Sequence, residues 1–235
     1  MKKSTLIISS AILAVGLFCL GLAIKAGIDN SVSQSRTVTV RGLCEREVSA
    51  NKVTWPIVTK EVGNDLSTIY SKTEATNATI LEFLRSNGIS DDEIMVSAPD
   101  IYDAAAERYS SNDIRYRYTA TNVIVVTSDQ IEKVNGLIRD QSSLLRQGIA
   151  VLAGDYQYSV HYEYTGLNDI KPEMVAQATA NAREAADKFA DDSHSKLGKI
   201  KTASQGQFTI EDRDQYTPSI KTVRVVTSIT YYLKN

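Results

Sequence analysis

The chain has 235 residues, of which 23% are charged, and a formal net charge of −2. That length suits one large domain or two small halves. The balanced charge gives no sign of the concentrated basic footprint that nucleic-acid binding needs, so no nucleic-acid partner is expected.

Residues 5–24 (TLIISSAILAVGLFCLGLAI) carry no charge and match the roughly 20 residues of a membrane-spanning helix. Lys2 and Lys3 precede them, which favours a cytoplasmic N-terminus. The pattern predicts a signal anchor, single-pass in the inner (cytoplasmic) membrane, with everything after Lys25 extracytoplasmic. The alternative is a cleaved signal peptide, with Gly21 and Ala23 before the cut, releasing the domain to the periplasm. Signal-peptide apolar cores usually run about 7–15 residues, so the length favours the anchor. A lipoprotein signal fits less well, because Leu17 and Phe18 precede Cys19. Of the two cysteines only Cys44 lies beyond this block, so no internal disulfide is available.

Residues 26–35 form a small, polar tether. Over 36–48, Val38, Val40, Gly42 and Cys44 alternate with polar residues, predicting a strand in which Cys44 is a small buried hydrophobe. A second strand follows at 52–59, and Pro56 places it at an edge or a bulge. A helix over 64–86 opens at Asn64-Asp65, stops at Asn87-Gly88, and carries a stripe of Leu66, Ile69, Tyr70, Thr73, Ile80, Leu81 and Leu84. Extended stretches at 93–101 and 114–127 follow. A helix at 129–146 has Ile131, Val134, Leu137, Ile138, Leu144 and Leu145 inward and ends at Gly148.

The order strand, helix, glycine stop, hairpin then recurs. The second copy has a strand at 155–165, a helix at 171–196 with Pro172 in its first turn, and a stop at Leu197-Gly198. That helix has a stripe of Val175, Ala178, Ala182, Ala185, Ala186 and Phe189, whose small residues imply close backbone approach. Stretches 200–211 and 220–233 complete it, with Val223, Val225, Thr227, Ile229 and Tyr231 on one face. The pseudo-repeats span about 36–127 and 155–233, bridged by the helix at 129–146. Antiparallel sheet covered by helices, an α+β fold, is the economical result. The hairpin tips at 109–113 and 211–219 are polar and project.

With that layout, the chain resembles the SIMPL-domain family of exported and envelope proteins. TVTVRGLCEREVSANKV, LEFLRSNGISDDEIMVSAPDIYD, YRYTATNVIVVTSDQIEKV, AREAADKFADDSHSKLGKI and KTVRVVTSITYYL carry the resemblance. It covers nearly everything from Arg36 to Leu233 and places residues 36–235 in one SIMPL-like domain. It implies paired strand–helix–hairpin units, a periplasmic or surface location, large oligomers in some members, and a connection with envelope or oxidative stress. It implies no agreed activity. Trp55-Pro56 departs from the unbroken strand expected there.

Chemistry is sparse. The two histidines, His161 and His194, stand apart in sequence. Asp191, Asp192 and His194 make a solvated helix end rather than a metal site. The acidic runs 91–93 and 211–214 are loop charge, and the second lacks the glycine of a calcium loop. No phosphate-cradling loop or nucleophile elbow is present, so no catalytic, cofactor or metal residue is assigned. Asn77-Ala78-Thr79 fits the glycosylation pattern but falls mid-helix.

The unusual feature is 12 tyrosines against four phenylalanines and one tryptophan. Tyr156, Tyr158, Tyr162 and Tyr164 would line one face of a single strand, and Tyr116 and Tyr118 alternate in another. They either cover the sheet beneath the helices or form an interaction surface. The expectation is a non-enzymatic, membrane-anchored scaffold, homo-oligomeric or bound to an envelope protein. Alternatives are a small-molecule-binding module with a tyrosine-lined groove, or a hydrolytic enzyme using a histidine and carboxylates.

Overall fold

A computed structural model describes residues 13–28, 36–106, 115–152 and 156–234. Residues 13–28 form helix α1. Its apolar side chains, from Leu13 to Ile28, are 52–68% exposed, so the chain itself does not cover them. Among the described residues no helix is long and apolar enough to cross a membrane. Residues 5–12 of the expected anchor, 29–35 of the tether, and the tip at 109–113 lie outside the described residues.

The remaining elements are β1 (Thr37–Ser49), β2 (Lys52–Gly63), α2 (Leu66–Ser86), β3 (Ile94–Val96), β4 (Asp100–Asp103) and β5 (Tyr118–Ser128). They are followed by α3 (Ile131–Asp140), α4 (Ser142–Arg146), β6 (His161–Glu163), α5 (Leu167–Asp192), β7 (Lys196–Gln205), β8 (Thr209–Asp212) and β9 (Ile220–Lys234). The fold is α+β with two antiparallel sheets. The chain forms two compact units: Met1–Arg46, Asn168–Ile210 and Val223–Asn235 make the first, Glu47–Leu167 and Glu211–Thr222 the second.

The first sheet has the order β1-β9-β7, with β8 also on β9. Arg36 O accepts from Leu233 N at 2.9 Å, and the Thr39 and Thr230 hydroxyls meet at 3.0 Å, so β1 runs antiparallel to β9. The alternation read from the sequence holds: Val40, Gly42 and Cys44 are buried on β1, and Val223, Val225, Thr227, Ile229 and Tyr231 on β9. Helix α5 covers this face with Met174, Ala178, Ala182, Ala186 and Ala190, one residue every four. The close approach inferred from the alanines is real. A Cβ on Gly42 would overlap the Ala178 carbonyl oxygen and lie 2.8 Å from Ala182 Cβ.

Four expectations for this unit change. Phe189 is exposed, because the buried row runs 182, 186, 190 and leaves 189 off it. Helix α5 begins at Leu167, so Pro172 sits in its second turn and cannot donate to Asn168. The helix ends four residues earlier than expected, at Asp192. His194, at φ 51°, takes the left-handed stop position, with His194 N donating to Asp191 O (3.0 Å) and Ser195 N to Ala190 O (2.8 Å). Gly198 instead lies at a bulge of β7, where a Cβ would stand 2.6 Å from Tyr232 O.

The second sheet has the order β3-β5-β2-β6, with β4 also on β5. Its helix-facing side presents Val53, Trp55 and Ile57 from β2 and Ile124 and Val126 from β5. Ile80, Phe83 and Leu84 of α2, and Val134, Leu137 and Leu144 of α3 and α4, close that core. The bridging helix thus packs within this unit, and it breaks at Gln141 into α3 and α4, which turns Leu145 outward at 64% exposure. Helix α2 buries Ile69, Thr73, Asn77, Ile80 and Leu84; Leu66 lies on the same face but is exposed as the first residue of the helix, and Tyr70 is exposed to the side of the row. Gly88 (φ 79°) and Gly148 (φ 83°) end their helices as read from the sequence.

The pseudo-repeats do not map one to one onto the sheets. The strand–helix–hairpin order occurs twice, yet β6, which opens the second copy, pairs with β2, and β1, which precedes the first, pairs with β9. On β1, Gly42 is the residue that lets the alanine row of α5 approach the sheet.

Candidate functional site

Pro56 locates the site. On one side β2 pairs with β5 over Val53–Gly63, Pro56 opposite Val125. On the other side β6 covers only Lys52, Val53 and Thr54, and Val58 makes an isolated bridge to Leu152, whose N–H donates to Val58 O at 2.8 Å. Residues of one parity turn their main-chain groups to one edge. Pro56, two before Val58, therefore turns its nitrogen away from β5, and the missing N–H costs no ladder hydrogen bond. The expected edge is present as a gap in the cover of β2.

That gap opens into a groove of about 350 Å³. Trp55, 3% exposed, reaches its floor beside Pro56. Ile138 of α3, Val151, Leu152 and Val160 supply apolar walls, and Gln141, Tyr156, Tyr158 and Ser159 the polar rim. Tyr156 is 92% exposed.

The tyrosine face foreseen for a continuous strand over 155–165 is not formed. Tyr156–Tyr158 is a turn of 3-10 helix, and only His161–Glu163 is strand. Tyr156 and Tyr158 line the groove. Tyr162 packs on the core opposite Val53, its hydroxyl donating to Asn135 Oδ1 at 2.5 Å, and burial raises its pKa. Tyr164 folds back to donate to Gly166 O at 2.9 Å. Tyr118 lies opposite Gly63, ten residues along β2 from the partner of Tyr162, or roughly 33 Å at strand rise. There Arg115 and Arg117 stack on Tyr116 and Tyr118 at 5.5 and 4.8 Å. Arg117 also pairs with Asp103 through two bonds of 3.0 and 2.9 Å. The six tyrosines thus divide into a groove pair, two structural residues and a distant arginine-stacked pair.

The polar candidates have structural partners. Ser159 Oγ stands 3.4 Å from His161 Nε2 at the rim, long for an activated nucleophile. His161 is exposed, and no described side chain hydrogen-bonds its second ring nitrogen. His194 serves as the stop of α5. The 91–93 run is a capped turn: burial would raise Glu93, but bonds from Ser128, Ser90 and Gln130 outweigh it and hold the pKa at about 2. In the 211–214 run, Asp212 pairs with Lys221. Asp214, lowered to about 2 by Thr217 and then Arg213, accepts from the Tyr216 and Thr217 amides at 2.8 Å. That tip holds Tyr216 84% exposed. Among the described residues no cluster of three His, Cys, Asp or Glu could hold a metal ion. Asn77 is buried and bonded to Asn122, which explains its place in a helix better than glycosylation does.

Ile138, Gln141, Val151 and Leu152 are groove residues that sequence reasoning missed. Their one signal was a proline inside a strand, which announces an uncovered edge without saying what stands beside it.

No curated protein matches the chain. The family model SIMPL, described as a protein of unknown function, matches residues 38–231. Among the described residues that span takes in every strand and helix but α1, the first residue of β1 and the last three of β9, and the chain therefore belongs to the SIMPL family.

Proposed function

We propose that the chain is a membrane-tethered interaction protein of the cell envelope, with its folded part extracytoplasmic and self-associated. The observation that carries the tether is α1: up to Ile24 it has no charged side chain, its apolar side chains are left exposed, and it continues an uncharged block that begins at residue 5. Such a helix needs a nonaqueous partner. Self-association is supported by exposed aromatics, above all Tyr216, whose main chain is hydrogen-bonded to Asp214 at its tip, since tyrosine suits partly wet interfaces. Binding, not turnover, is the proposed activity.

The test is extraction of the full chain from its membrane. Resistance to alkaline carbonate and a light-scattering mass above one copy in mild detergent are expected. Release by carbonate removes the tether, and a monomer in detergent removes self-association. A second reading, binding of a small molecule, is favoured by the groove beside Pro56.

A further inference from the structure

We infer that the groove beside Pro56 takes a neutral, ring-bearing small molecule rather than an ion or an extended peptide strand. The inference deepens the small-molecule reading and rests on it. Four observations converge.

The first is size. About 350 Å³ lies at the small end of ligand sites, which run ~300–1,000 Å³, and suits one fused ring system. The second is the wall chemistry. Pro56, Ile138, Leu152 and Val160 give branched apolar surface around the small exposed part of Trp55, which suits a ring and offers a charged group nothing. The third is the rim. Gln141, Tyr158 and Ser159 provide neutral donors and acceptors, and no described lining residue is charged. A carboxylate or ammonium buried here would find no counter-charge among the described lining residues.

The fourth observation separates a small molecule from a peptide. Strand addition needs a main-chain donor and acceptor pair on the exposed edge. At this gap Pro56 has no N–H, and the next outward carbonyl, that of Val58, already accepts from Leu152. The edge is open to a side group but poor in backbone partners. Tyr156, 92% exposed at the mouth, has a whole ring face to bury against a ligand.

Trp55 is the only tryptophan in the chain, so incorporation of 5-fluorotryptophan places a single fluorine resonance at the groove floor. The full-length chain in detergent is titrated with 2-naphthalenemethanol and with 2-naphthoate, the same ring carrying a carboxylate. The expected result is a saturable shift with the alcohol and at least tenfold weaker binding of the naphthoate. Leu152→Glu, at a half-exposed wall position, should weaken the alcohol at least tenfold, as should Gln141→Glu, which decides the matter if Leu152→Glu fails to fold. No saturable shift with the alcohol overturns the inference, as does equal affinity for the naphthoate or unchanged binding in a folded glutamate variant. Carbonate extraction does not depend on the groove, so failure here leaves the tether standing, and loss of the tether leaves this result intact.

Discussion

Gly42→Ala should destabilise the first unit far more than a single added methyl group suggests. The new Cβ would lie 2.5 Å from the Ala182 amide nitrogen and overlap the Ala178 carbonyl oxygen, against an ordinary contact of ~3.5 Å or more. Both obstacles are main chain of α5, so no side-chain rotation relieves them. The helix must retreat by about 1 Å along the row Ala178, Ala182, Ala186, loosening contacts with Val40, Ile229 and Tyr231. Overpacking costs about 1–3 kcal/mol where side chains yield. With backbone on the far side, the upper end is expected, about 3 kcal/mol. That corresponds to a fall in melting temperature of roughly 6–12 °C for a chain of this size. The assay is a thermal melt followed by circular dichroism, with Leu43→Ala on the opposite face as control, expected within about 0.5 kcal/mol of wild type. A Gly42→Ala protein melting within a degree of wild type would refute the close approach of α5 to β1.

In the second unit, Asn77 and Asn122 bond across the core, while Thr73 Oγ1 and Asn122 Oδ1 are buried without a hydrogen-bond partner. Asn77→Leu alone should cost about 1–3 kcal/mol by orphaning Asn122, and the Asn77→Leu/Asn122→Leu pair should cost less than the sum of the singles; urea melts that add simply would show the two to be independent. His194→Gly should stabilise by about 1 kcal/mol, since φ 51° strains any residue with a Cβ; a lower urea midpoint would place the stop of α5 elsewhere. Glu93, held at about 2 rather than its usual 4.5, contributes stability that is present above pH 4.5 and lost as pH falls toward 2. Glu93→Gln should therefore melt below wild type at pH 7, and the gap should close between pH 4.5 and 2; a constant gap would mean that the Ser90 and Ser128 bonds do not depend on the charge.

Period-two and period-four patterns carried the cores into view. The β9 face from Val223 to Tyr231 and the glycine stops at Gly88 and Gly148 were legible because each depends on one local rule. The stop of α5 was not, because a left-handed histidine is rare and Gly198 stood close by as a better candidate. Sheet membership was hidden for a different reason. β1 and β6 change partners between the copies, and pairing of residues as far as 197 positions apart leaves no local trace. The tyrosine run misled because alternation continues through the 3-10 turn at 156–158, where the chain no longer extends. Only Tyr156 and Tyr158 of the six foreseen residues reach the groove, while its apolar walls come from segments that signalled nothing by themselves.

The central claim, a folded extracytoplasmic protein tethered through residues 5–24, is tested most directly by site-specific labelling. Cys44 is buried and Cys19 is exposed within α1, so Gln205→Cys, at the exposed end of β7, in a Cys19→Ser background supplies a reporter thiol for a membrane-impermeant maleimide. In cells whose outer layer is opened and whose cytoplasmic membrane is intact, the introduced thiol should be labelled on protein that stays with the membrane after a carbonate wash. A thiol that reacts only after that membrane is lysed, or labelled protein found in the carbonate supernatant, would contradict it.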